Sequence, residues 1–427
     1  MEPIIQELSD LRQQLRKDEV WRDVDFSDLL NDTMRTPRPE DSGHYTFHCN
    51  IPMLDTYSIV VENGFCNADL VETEEGIIMG SLRKAMQTYP DLVAKGLDHT
   101  PGDNAYRQFN KAHYSDGAFV YVPARCSARK PLQFISMHTA EASLLVQTRN
   151  VVVVEDDSQL TLIHCDDTTN TQRSFANNVT EIVAGRNAHI EHYKMQNLND
   201  QSGLLSQTFT SLQEAASLLS VAITFNGGYI CNHAEVIMDG EHCSTEVHGL
   251  YLNDKEQRVD NYVFVDHRKP NCHSHELYKG ILDDSAHGTF NGHVLVDEGA
   301  AKTEAYMSNR NILLTDKATV YTKPFLEIYN DDVKCSHGST IGQMDDDAMF
   351  YLRSRGISQR SARTLLLYAF CDEVVEKIQL TTLRTRLSDM IKQRLHGNLT
   401  ACSDCVLGCN MPCGCSNSMF DIDTSLL

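Results

Sequence analysis

Two groups of residues in this 427-residue chain have the types and spacing to do chemistry. The first is Cys335 and His337, in the run D-D-V-K-C-S-H-G. In a strand, residues two apart point to the same face, so thiolate and imidazole could converge on one metal ion. Two ligands do not complete a four-coordinate site, and the remainder would have to come from a neighbouring strand or a second protein. A Cys-x-His pair also arises as ordinary strand sequence, so the structural reading stands beside the chemical one. The second group is the tail cysteines Cys402, Cys405, Cys409, Cys413 and Cys415, spaced C-x2-C-x3-C-x3-C-x-C. Soft metals bind such thiol arrays. The spacing misses the ferredoxin pattern and lacks the two separated knuckles of a zinc ribbon. A metal-binding tail and an unstructured terminus with oxidisable thiols both remain open.

Histidines are dense between His233 and His293, and His273 and His275 repeat the i, i+2 spacing with Glu276 beside them. A solvated or hydrogen-bonded strand face accounts for most of these, while Glu276 could orient an imidazole. The chain has no phosphate-cradling Walker sequence, no dinucleotide fingerprint and no G-x-S-x-G elbow. ATP, if used, is supplied by another subunit.

The elements that must position these groups fall into three textures. Helical spacing of Leu8, Leu11 and Leu15, a patch over residues 81–97 broken at Pro90, and the stretch 104–114 mark an N-terminal region, 1–125, expected to be mostly helical. From 126 to 346 short β-rich runs such as Val151–Val154 follow one another, separated by acid–small punctuations such as Asp156-Asp157-Ser158. Only the stretch around 212–221 could equally be helix. More than 200 residues of strand with almost no helix argue for an all-β body. Small residues recurring before the strands hint at a solenoid, whereas Asn226-Gly227 and Asn291-Gly292 are hairpin signals. A sandwich, a barrel and a solenoid all fit. From 347 to 399 two amphipathic helices are expected, the first capped by Ser358, packing on the β body. A cysteine-rich tail, 400–427, closes the chain.

Composition bounds the setting. A net charge of −22 disfavours a broad nucleic-acid or anionic-lipid face. No apolar run approaches the roughly 18 residues that span a bilayer, and the N-terminus lacks the pattern of a signal peptide. A cytoplasmic protein with reduced thiols follows, in which the nine cysteines from Cys49 to Cys371 are mostly small core residues.

The block F-L-E-I-Y-N-D-D-V-K-C-S-H-G-S-T-I-G (Phe325–Gly342), with F-Y-L-R-S-R-G-I (Phe350–Ile357), resembles the SufD proteins of the SUF iron–sulfur assembly system. S-H-E-L-Y-K-G-I-L (Ser274–Leu282), the F-N-G at Phe290–Gly292 and N-K-A-H-Y-S-D-G-A-F-V-Y-V-P (Asn110–Pro123) carry the same likeness, over roughly residues 80 to 395. The resemblance implies a mainly β protein, a right-handed parallel β-helix flanked by helical regions. It implies a non-catalytic scaffold that pairs with a SufB-like paralogue and docks a SufC-like ABC-type ATPase through its C-terminal helices. A homodimer of the isolated chain stays open. An iron–sulfur cluster would be held transiently in the complex and not stably by this chain alone, and the resemblance leaves room for a flavin there. His337, with Cys335 beside it, falls on the family's histidine at the interface with the paralogue. The paralogous SufB subunit is the near alternative, and a β-helix enzyme acting on polysaccharide a remote one. Nothing in the resemblance accounts for the cysteine tail.

Overall fold

The chain, seen here as a computed structural model, is described for residues 3–396 apart from 16, 19, 31, 32, 44, 46–50, 52, 53, 101 and 103. The five tail cysteines and Cys49 therefore lie outside the described residues. From Leu132–His138 to Val333–Gly342 the body is a run of strands of 7 to 11 residues. Each pairs in parallel with the strand after next, not with its sequence neighbour. The alternation winds the chain between two ten-stranded sheets, a β-solenoid of about eight turns. One file of paired residues runs Leu162, His192, Ser220, Val247, Glu276, Met307, His337, one residue per turn. Rungs about 4.8 Å apart leave every interior backbone group hydrogen-bonded, which is why strands buried on both faces carry Val-, Ile- and Leu-rich sequence.

The corners explain both the turn residues and several cysteines. Arg125, Asp157, Asn187, Ala215, His242, Asn271 and Lys302 all adopt positive φ between 54° and 61°, one per turn at one corner. The residue after each is small: Cys126, Ser158, Ala188, Ala216, Cys243, Cys272 and Thr303, none more than 8% exposed. Their carbonyls form a ladder along the solenoid, Cys126 O accepting from Gln159 N and Cys243 O from His273 N, for example. A longer side chain there would push successive turns apart. The small residues before the strands are thus a genuine solenoid signal. Seven of the eight described cysteines are buried and all eight are free thiols, in line with core packing.

Three expectations need correction. The ambiguous stretch around 212–221 is no helix: the strand Gly203–Leu212 ends, Ala215 turns the corner, and Ser217–Asn226 begins the next strand. Neither Asn-Gly pair makes a hairpin. Asn226-Gly227 turns the chain into the other sheet, and Asn291-Gly292 lies within the strand His287–Val296, where Gly292 leaves room for Met307 that a Cβ would fill. Residues before 126 are mixed, with the helices Pro3–Leu15, Leu82–Thr88, Pro90–Val93 and Ala105–His113 but also five strands that extend the two sheets.

The N-terminal region is fastened by charge as well as packing. Glu181, fully buried on the solenoid, accepts from Arg107 and, at 3.1 Å, from Arg149 Nε. Arg149 in turn reaches Asp98 at 2.6 Å. At the other end three helices follow the solenoid, Asp346–Ser354, Gln359–Val375 and Thr381–Leu395, one more than expected. Ser358 caps the middle one by accepting from Ser361 N. The last two cover the outer face of one sheet, where Leu367, Cys371, Val374, Leu387 and Ile391 meet Tyr193, Val221, Leu250 and Leu277. Lys279 donates to the Phe370 carbonyl at 2.9 Å and pairs with Glu373, while Arg394 reaches Asp254 at 2.7 Å.

Candidate functional site

Cys335 and His337 sit together at the open end of the solenoid. Both belong to Val333–Gly342, the last strand of its sheet, and the other sheet ends on Thr319–Ile328. Cys335 pairs with Ala305 and His337 with Met307, both buried in the solenoid interior, so the two side chains continue the inward-facing files of the preceding turn. Ser339, two residues on, closes toward the opposite sheet through a 3.0 Å hydrogen bond between its hydroxyl and that of Thr322. Among the described residues no further turn lies above. Cys335 is half-buried and His337 is exposed.

The expected same-face geometry is present, and among the described residues no third Cys, His or carboxylate ligand gathers with the pair. Burial, opposed by a hydrogen bond with the Ala305 backbone, lifts the Cys335 thiol above its ordinary range, and the Glu276 carboxylate adds to the effect. Cys335 in the isolated chain is therefore a thiol near neutral pH and not a ready thiolate.

Glu276 does not do what its place in the sequence suggested. Alternation sends His275 outward and Glu276 inward, so Glu276 cannot orient either neighbouring imidazole. It lies in the interior under Met307 and His337, fully buried, and neither carboxylate oxygen makes a hydrogen bond. The Ser274 hydroxyl on the same face is engaged by His267 Nε2 at 3.0 Å. Burial pushes the Glu276 carboxyl up to about 8, so it is mostly neutral at pH 7. Nothing in its sequence context marks this, because the signal is the file and not the strand.

The other histidines are mostly satisfied strand residues. His287 meets the Thr319 hydroxyl at 2.8 Å, His293 pairs with Glu327 at 3.2 Å and His233 with Glu235 at 3.4 Å. His273 and His275 do not converge: His273 faces Glu304 at 3.9 Å, whereas His275 turns toward Glu246 and His248.

The last strands expose several apolar side chains, Tyr306, Tyr321 and Phe325 among them on the outer faces of the two sheets. Tyr306, Tyr321, Phe325, Ile328, Tyr329 and Ile341 on the last strands and the turn between them are exposed, Tyr321 by 66% and Phe325 by 52%. The first helix after the solenoid adds Phe350 and Tyr351. These eight are most of the large apolar side chains the described chain exposes. Two unpaired strand edges beside such a patch form a template for another protein.

Two family models match consecutive stretches of the chain. Residues 5–134 match the SufBD protein N-terminal region, and residues 136–370 match the SufBD core domain of the SUF system for FeS cluster assembly. An iron–sulfur cluster assembly SufBD family protein of Synechocystis is 29% identical over 401 residues, covering 91% of this chain and 88% of that protein. The iron–sulfur cluster assembly protein SufD of Escherichia coli is 34% identical over 271 residues, 63% of this chain and 64% of that protein. SufD of Bacillus subtilis is 25% identical over 333 residues, three quarters of each chain.

Proposed function

The chain belongs to the SufBD family, and from that premise we propose that it is a SufD-type scaffold subunit of an iron–sulfur cluster assembly complex. The observation that carries this is the open solenoid end, where Cys335 and His337 continue the inward-facing files on the last strand, next to strands that expose aromatic side chains. A SufB-like paralogue with its own solenoid is the partner of choice. Its terminal strands would continue the two sheets and bury the rim. In that arrangement Cys335 and His337 supply two ligands to the nascent cluster and the paralogue supplies the rest. Binding there would favour the Cys335 thiolate by placing iron beside it. This chain alone holds no cluster stably, contributes no catalytic residue of its own, and serves as half of a site.

ATP chemistry enters through a SufC-like ABC-type ATPase docked on the helical region after the solenoid. Exposed Phe350 and Tyr351 on Asp346–Ser354 support that docking surface. Helices Gln359–Val375 and Thr381–Leu395, fixed to the sheet by Lys279, Lys377 and Arg394, would carry the motion to the solenoid. A cytoplasmic, reducing compartment goes with this reading and with the eight free thiols. Among the described residues no helix is long and apolar enough to cross a membrane.

Co-expression with a SufB-like paralogue and a SufC-like ATPase, followed by mass determination, tests the partnership. Recovery of a three-component complex is expected. In that complex His337→Ala should abolish or sharply slow cluster assembly without loss of subunits. Unchanged assembly would remove His337 from the site, and recovery of only a homodimer would remove the paralogue.

A further inference from the structure

On the outer face of the solenoid, on strands two and three places in from the last strand of their sheet, three metal-ligating side chains meet. Glu246 and His248 lie two residues apart on the strand Ser244–Asn253 and so share a face; His275, on His273–Leu282, is the direct cross-strand neighbour of Glu246. One ligand atom from each lies within 4.8 Å of the other two, the only such trio among the described residues. Glu246 Oε2 is 2.9 Å from His248 Nε2, and the rings of His248 and His275 stand edge-to-face with centroids 5.4 Å apart. Bonds of about 2.1 Å to a first-row metal place adjacent donor atoms roughly 3.0–3.5 Å apart. The Glu246–His248 pair is already near that separation, and a rotamer adjustment of half-buried His275 brings the third donor in.

We propose that Glu246, His248 and His275 form a binding site for a divalent first-row transition metal ion of the zinc, cobalt or ferrous class. Two imidazoles and one carboxylate select these ions over calcium and magnesium, which take all-oxygen shells, and over cuprous ion, which prefers sulfur. Coordination is incomplete with three protein donors. The open positions face a cleft of about 330 Å³ lined by His273, Glu304, Tyr306 and Lys377, so water or an exogenous ligand completes the shell. His248 is fully buried, its Nε2 faces the Glu246 carboxylate and its Nδ1 has no hydrogen-bond partner, so metal binding at Nε2 leaves the ring proton on Nδ1.

The site already holds a cation of its own. Lys377, in the turn between Gln359–Val375 and Thr381–Leu395, places its ammonium 2.8 Å from Glu246 Oε2. An incoming metal must displace it, and the flexible lysine stem lets the ammonium swing into solvent. Metal binding is thereby set against one fastening between the helical region and the solenoid.

The test uses the full-length chain with Cys335 and the five tail cysteines changed to serine, so that thiols do not compete, titrated with cobalt(II) and followed by its visible absorption. One equivalent is expected, with the bands of nitrogen and oxygen ligands. Glu246→Gln and His275→Ala should each weaken binding at least about tenfold while leaving the melting temperature close to that of the parent. Lys377→Met should tighten it about tenfold or more, as expected from removing a repulsive ammonium about 4 Å from the ion in a half-exposed site. A merely structural cluster would not show that gain. Failure to bind an equivalent, binding indifferent to both ligand variants, or a Lys377→Met chain no tighter than the parent would each overturn the proposal.

Discussion

Glu276 lies two rungs below His337 in one inward-facing file of the solenoid, with only Met307 between them. Two strand spacings put the backbones about 9.6 Å apart. The buried carboxyl is thus the nearest ionisable group in that file beneath the open end.

The first prediction concerns that carboxyl. A group whose folded pKa is raised to about 8 from an unfolded value near 4.3 costs nothing below pH ~4, where both states are protonated. As pH rises from about 4 to about 8 the unfolded state ionises while the folded state does not, and stability falls. Glu276→Gln should therefore raise the melting temperature at pH 8, by the equivalent of a few kcal/mol, and give little or no gain at pH 4.5. Melting curves across that range decide it; a gain independent of pH would show that Glu276 is not held neutral.

Labelling tests the state of Cys335. Among the eight described cysteines it alone is not buried, yet its thiol is lifted above the ordinary range. Iodoacetamide followed by peptide mass mapping should modify Cys335 before Cys66, Cys126, Cys165, Cys231, Cys243, Cys272 and Cys371. Its rate should keep rising past pH 9. Bound paralogue should protect it, and labelling that the partner does not slow would argue against closure of this end.

Phe325 tests the rim. Half exposed on the strand Thr319–Ile328, it packs at a tilt against His293 with centroids 4.8 Å apart and contributes little to the core. Phe325→Asp should weaken association with the paralogue at least about tenfold, or about 1.4 kcal/mol, with a small change in the chain's own stability. Calorimetric titration alongside thermal melting separates the two effects.

Glu181 tests the fastening of the N-terminal region. Glu181→Gln leaves Arg107 and Arg149 buried with their shared counter-charge gone. A loss of about 3–5 kcal/mol is expected, since breaking a buried pair leaves uncompensated charge. Denaturant unfolding measures it, and limited proteolysis should show cleavage near residues 98–107 before the solenoid opens.

The sequence by itself determined a good deal. Strand texture without helices meant an all-β body, small residues before strands pointed to a solenoid, and the Asp331–Gly338 block placed Cys335 and His337 on one face and in a family. Ser358 announced its helix because a cap is a local event, satisfied by a backbone N–H three residues on. What only the tertiary structure decided is whatever depends on the stacking of turns. The corner positions Arg125, Asp157, Asn187, Ala215, His242, Asn271 and Lys302 share a backbone conformation but no residue type, so their spacing of about 30 residues leaves no repeat to read. Asn291-Gly292 looked like a hairpin because a dipeptide cannot report what lies across the interior, and there it is Met307. Glu276 and His275 are adjacent in sequence and opposite in fate, one buried under His337 and the other beside Glu246 and His248. Neighbours along a strand diverge by the pleat, and residues about 30 apart become neighbours through the winding of the chain.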